Sequence, residues 1–136
     1  TAVTQQFKPD VYPKVDDEAS IILTYPDLQA IIQASWNWPF DRKDTEVYGT
    51  KGILVADKTN QMRYVTGDRF GKEGMLTLDP LPHDVSNVFP YLAAVVQGRI
   101  KPKMDLSSFE INQVVVEILE AARASAKTGK KVLLKH

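Results

Sequence analysis

The amino-acid sequence predicts an α+β fold, an open-faced and mainly antiparallel β-sheet with helices on one side. Three observations carry that expectation. Strand-like segments crowd residues 2–81, helical stripes occupy residues 87–129, and the two classes do not alternate. A run of about six strands followed by two helices is the order that segregates helices from an antiparallel sheet, whereas alternation would build a parallel one.

The first strand, residues 2–8, alternates weakly and ends at PDVYP, where two prolines close together forbid regular pairing. Residues 19–25 (ASIILTY) and 28–38 (LQAIIQASWNW) flank Pro26-Asp27 and read as an antiparallel hairpin. Both strands are apolar on two faces: Ile21, Leu23 and Tyr25 point one way and Ile22 the other, as do Leu28, Ala30 and Ile32 against Ile31. Such a sheet needs cover on both sides. The helices supply one cover, and another chain or domain is expected to supply the second.

Residues 45–48 and 53–56 form a second hairpin around Gly49-Thr50-Lys51-Gly52, residues 61–66 (QMRYVT) add a strand, and residues 67–74 form a glycine-rich turn. Residues 75–81 add a short strand before Pro82. Asn87 is placed to cap a helix whose first turn tolerates Pro90, and an apolar stripe (Val85, Val88, Phe89, Leu92, Val95, Val96) ends at Gly98. After a linker, Ser107 and Glu110 fit the S-x-x-E capping box of a second helix. Ile111, Val115, Ile118, Leu119 and Ala122 share one face of it, Lys127 complements its dipole and Gly129 caps it. Residues 132–134 are expected to close the chain as a strand.

Composition narrows the function classes. The 136 residues are one domain's worth of sequence, 43% hydrophobic and 25% charged, enough for a core without disulfides or metals. Seventeen basic and seventeen acidic residues cancel, which argues against a general nucleic-acid or anionic-membrane binder. With no cysteine, thiol catalysis and Cys-ligated zinc are excluded. No apolar run is long enough to cross a membrane as a helix, and TAVTQQFKPD lacks the regions of a signal peptide. Because the chain opens directly in a strand pattern without Met, natural sequence is expected to precede it.

Few motifs suggest chemistry. Gly49-x-x-Gly52 matches a nucleic-acid backbone clamp but lies between strands, so a hairpin turn is the expected reading. The glycines of residues 67–74 fit neither nucleotide-binding pattern. Asp16-Asp17-Glu18, near Asp10, is either an acid–base or cation site or a solvated strand entrance with one carboxylate accepting backbone N–H bonds. His136 is terminal, and His83 beside Asp84 is either a surface residue, an acid–base pair or a substrate contact. Neither histidine has metal-ligand partners at the right spacing. Trp36, Trp38 and Phe40 alternate, so a continuing strand would put them on one face next to Asp41 and Arg42. Such a wall suits a sugar-like ligand, and equally a core plug or dimer contact.

Three stretches, in this order, carry a resemblance over nearly the whole chain: VDDEASIILTYPDLQAIIQASW, EVYGTKGIL, and the run from Asn87 through PKMDLSSFEINQVVVEILEAARASAKTGKKVLL. Together they resemble the C-terminal part of the glucose–fructose oxidoreductase / inositol dehydrogenase-like (Gfo/Idh/MocA) family. The resemblance implies the open-faced sheet of that family's C-terminal domain, similar also to the C-terminal domain of dihydrodipicolinate reductase, with the free face making a dimer. It implies a parent oxidoreductase using NAD or NADP on a sugar, cyclitol or similar polyol. The family's G-x-G-x-x-G and E-K-P motifs are absent and its D-x-x-x-H motif is expected just upstream of Thr1, so no catalytic, cofactor-binding or metal-binding residue is assigned and the chain alone is expected to bind no cofactor. Substrate contact is the one role carried over, to Trp36, Trp38, Phe40, Arg42 and His83.

The expectation is therefore a single domain, residues 1–136, that serves substrate binding and oligomerisation for a Rossmann domain lying upstream. The alternative is a free-standing α+β ligand-binding or dimerisation module without enzymatic activity. What precedes Thr1 discriminates the two.

Overall fold

The computed structural model describes residues 1–57, 60–67 and 71–134. The chain is α+β, with antiparallel strands in two sheets, two α-helices and a short 3-10 turn. It divides into two compact units, Thr1–Pro39 with Pro102–His136, and Phe40–Lys101.

The first unit holds β1 (Ala2–Gln5), β2 (Glu18–Thr24), β3 (Gln29–Ser35) and the second helix, α2 (Phe109–Thr128), after α1 (Val88–Val96) of the other unit. The strands pair in the order β1-β2-β3, with Ala2 opposite Ile21 and Ile22 opposite Ile31. Side chains alternate across the pleat, so Ala2, Ile21 and Leu23 share one face. There Ala2 and Ile21 bury against Ala122 of α2, joined by Leu23 and Ala126. Alanines at the contact let the helix approach closely. The opposite face carries Val3, Ile22 and Ile31, which remain 58%, 38% and 64% exposed. The two-sided apolar pattern of β2 and β3 is thus present, with one side under the helix and the other open.

The second unit is a four-stranded meander, β4 (Thr45–Gly49), β5 (Gly52–Ala56), β6 (Gln61–Thr66) and β7 (Lys72–Thr77), followed by the 3-10 turn His83–Val85 and α1. Gly49 and Gly52 pair across the β4–β5 turn. Only glycine suits position 52, because at φ +154° a Cβ would lie 2.2 Å from the Val65 carbonyl oxygen. The hairpin expectation for this motif holds. α1 ends in a left-handed Gly98, with Gly98 N–H donating to Val95 and Arg99 N–H to Ala94, the pattern of a Schellman stop.

Several boundaries differ from the sequence pattern. One sheet was expected and two are found, because β3 gains no pairing beyond β2. The N–H of Asn37 turns back to Ser35 Oγ, and Pro39 has no N–H to give a ladder. The same turn ends β3 at Ser35, so residues 36–40 lie in a loop and strand alternation does not align Trp36, Trp38 and Phe40. β7 starts at Lys72, inside the stretch read as a turn, since the Tyr64 ring lies where a Cβ of Gly74 would be. The α2 cap is Ser108, whose Oγ accepts from Ile111 N–H, and not Ser107. Residues 132–134 form no strand. The outward N–H of Ala2, the first rung at the β1 edge, is already taken by Ser125 Oγ. His136 and part of the glycine-rich stretch lie outside the described residues.

Candidate functional site

In the first unit, the segment joining β1 to β2 is built around Asp17, which is 3% exposed. Its two carboxylate oxygens accept from Phe7 N–H at 2.9 Å and Lys8 N–H at 2.7 Å, and Oδ1 accepts from Asn37 Nδ2 at 2.9 Å. Desolvation pushes this carboxyl up, but the bonds from Phe7, Asn37 and Lys8 outweigh it and hold the pKa below the ordinary value. The sequence reading of one carboxylate accepting backbone N–H groups describes this arrangement, but the strand entrance is not solvated at Asp17, which is buried. Asp17 C=O also accepts from Trp36 N–H, so the same residue ties the end of β3 to the loop.

Two features lie beside this anchored loop. Tyr12 meets Trp36 with ring centroids 5.1 Å apart and planes tilted by 55°, and Trp36 stays 62% exposed. Gln6, Lys14, Asp16 and Arg123 line a polar groove of about 540 Å³ together with Pro13 and Val15. Gln6 is fixed by donating to the Tyr12 and Val15 carbonyls. Asn37 Oδ1 is buried without a hydrogen-bond partner, an unused acceptor in the Asp17 network. The sequence pattern did not single out the groove, because Gln6 and Arg123 are far apart in the chain. A second, apolar groove of about 430 Å³ lies between β2 and α2, lined in part by Ile21, Leu23, Val114, Ile118 and Leu134.

The other nominated residues divide between the units. Trp38 belongs to the first, and Phe40, Arg42 and His83 to the second. Phe40 is 73% exposed. Arg42 clasps Asp44 with both Nε and Nη2, at 2.7 and 2.9 Å. The hydrogen bond with Asp44 raises the guanidinium pKa, and that with Arg42 lowers the carboxyl pKa. His83 is largely exposed, with Nδ1 3.3 Å from Asp84 Oδ1. The Schellman stop brings Arg99 back onto Asp84 in a two-pronged pair, both contacts 2.9 Å. The Arg99 guanidinium, then His83, hold the Asp84 carboxyl down at about 2. Asp84 is thus committed to Arg99, and His83 contributes only a weaker contact to it.

Glycine at a strand-to-helix turn lets backbone N–H groups meet a pyrophosphate. Here Gly49, Gly52 and Gly74 lie in strands, while Gly98 and Gly129 cap helix C-termini, the end that repels an anion. Among the described residues, no group of three or more His, Asp or Glu is placed to hold a metal ion, and no helix is long and apolar enough to cross a membrane.

Comparison with known proteins agrees with the architecture of the first unit. Residues 1–55 match the family model described as the GFO/IDH/MocA C-terminal domain, a span running from β1 into β5. Comparisons with curated proteins and with solved structures give no match. The matched span contains the Asp17 anchor, the Tyr12–Trp36 pair and the two-faced β2–β3 hairpin, so this part of the chain is similar to the C-terminal domain of the Gfo/Idh/MocA family.

Proposed function

We propose that this chain furnishes one wall of the substrate site of an NAD(P)-dependent oxidoreductase acting on a sugar, cyclitol or similar polyol, and that it self-associates through its first sheet. The cofactor and the reacting groups belong to the rest of the parent enzyme. The observation that carries the substrate reading is the surface around the Asp17-anchored β1–β2 segment, where exposed Trp36 stacks on half-buried Tyr12 and a groove of hydrogen-bonding side chains is completed by Arg123 of α2. Polyols are held in this way: ring C–H faces lie on aromatic surface, and Lys, Arg, Gln and carboxylate groups bond the hydroxyls. The roles of this chain's residues are binding and orientation. Asp17 keeps the loop in place, Trp36 offers the apolar surface, and Arg123 and Asp16 offer charge-assisted hydrogen bonds.

The total exposed area supports the self-association. The chain exposes 11657 Å². Even two separate compact proteins of half its mass each would expose only about 8,600 Å² in total by the size scaling of folded monomers. The surplus of about 3,000 Å² exceeds the roughly 800 Å² that one partner contributes to a standard interface.

Trp36 and Trp38 are the chain's two tryptophans, so their fluorescence reports on this site. Titration with myo-inositol, glucose and related polyols should give a saturable change for at least one cyclic polyol. Trp36→Ala should remove it, and Arg123→Ala should weaken binding by roughly tenfold, the scale of one lost charge-assisted hydrogen bond. A flat response across the whole panel, or an unchanged affinity in both variants, would overturn the substrate reading.

A further inference from the structure

The outer edge of β3 differs from the other strand edges. Tyr25 N–H bonds to the Leu28 carbonyl, and Ile22 exchanges both of its backbone bonds with Thr1 on the β1 side. Because inward and outward groups alternate along an antiparallel strand, the N–H and C=O groups of Gln29, Ile31 and Gln33 point away from β2. Among the described residues no strand pairs with them.

Proteins guard such edges with charges, proline or a covering segment. β4 carries Glu46 and β7 carries Lys72 and Glu73. The β1 edge is blocked at Ala2 by the buried Ser125 hydroxyl. β3, QAIIQAS, has no charge and no proline, in a chain that is 25% charged. Its outward positions also read the same in both directions: Gln29, Ile31, Gln33.

We propose that the β3 edge pairs with the β3 edge of a second copy, antiparallel about a two-fold axis at Ile31, joining the three strands of each copy into one continuous sheet. This rests on the self-association proposed above and names its contact. A two-fold interface must be self-complementary, and this edge is. Ile31 meets Ile31 of the second copy, and each Gln29 meets the other copy's Gln33. About six backbone hydrogen bonds form, and no like charges are opposed. Since Ile22 is already opposite Ile31 within each copy, the open face gains an unbroken row of four isoleucines across the junction. That row turns two small apolar patches into one. A second copy therefore suits this edge better than an unrelated strand, which would satisfy the backbone without extending the row.

The absence of native cysteine makes the test direct. Cα atoms of a directly opposed hydrogen-bonded pair lie about 5.5 Å apart, within disulfide reach. Mild oxidation of Ile31→Cys should give a covalent dimer. Gln29→Cys and Gln33→Cys should each link poorly alone and efficiently when mixed, which reads out the register. Ile31→Lys should weaken the dimer roughly tenfold or more, with an unchanged circular dichroism spectrum because Ile31 is exposed. Linkage of Ile31→Cys no faster than that of Val3→Cys, in a chain that still dimerises, would overturn edge pairing while leaving self-association standing. A chain that sediments only as a monomer would overturn both.

Discussion

Two regions of this chain solve the same problem by different means. In Thr1–Pro39 with Pro102–His136, the buried set includes Asp17, Ser108 and Ser125 beside Ala2, Ile21 and Ala122. In Phe40–Lys101 the buried set among the described residues is Val55 and Ala94, with no polar member. The first unit is tied together by side-chain hydrogen bonds: Asp17 accepts from Phe7 and Lys8 N–H and from Asn37 Nδ2, and Ser125 bridges the Ala2 N–H and the Lys130 carbonyl. The second relies on tight turns and surface ion pairs. The difference teaches where specificity lies. Buried polar groups tolerate few alternatives, and the unit that has them contains most of the family match and the proposed site.

The contrast can be broken from either side. The largest effect is expected from Gly52→Ala, which forces a Cβ against the Val65 carbonyl at a φ that side chains rarely adopt. A loss of about 3 kcal/mol in urea unfolding is expected, with amide-exchange protection falling first in β4–β6. Ser125→Ala should cost about 2 kcal/mol, because it strands a buried N–H and a carbonyl together. Its exchange signature should lie in β1 and the end of α2.

Ser108→Ala should cost about 1 kcal/mol through loss of the α2 cap, while Ser107→Ala should stay near zero. Equal effects would restore Ser107 as the cap.

The smallest effect concerns pH. The Asp84 carboxyl lies at about 2 in the folded chain, below its ordinary 3.8. Its contribution is therefore present above about pH 4 and lost as pH falls toward 2. Asp84→Asn should lower stability slightly at neutral pH and flatten the acid limb of a pH–stability profile. The effect is small because the pair is exposed and screened.

Local periodicity made much of this fold legible. The β2–β3 hairpin, the Gly52 turn, the Asn87 cap and the Gly129 stop each rest on a few neighbouring residues. What was hidden depends on contacts distant in sequence. Nothing near Leu133 announces that Ser125 has already occupied the edge that a terminal strand would need. Nothing near Gly74 announces that Tyr64 lies over it, which is why a strand glycine read as a turn. For the site, the two-faced apolar pattern and the aromatic run were visible, but alternation was extended past Ser35 because the Asn37 turn onto the Ser35 hydroxyl leaves no periodic trace. The groove of Gln6, Lys14, Asp16 and Arg123 is assembled from the β1–β2 segment and α2, so spacing alone could not find it.

The assembly surface proposed for the first unit is open to direct measurement. Sedimentation equilibrium of the chain, from about 1 to 100 μM, tests it most directly, over the range in which a standard-sized interface is populated. A dimer that dissociates on dilution, and is weakened by Ile31→Lys, is the predicted result. A monomer throughout, with the open face of β1–β3 free in solution, would contradict the account.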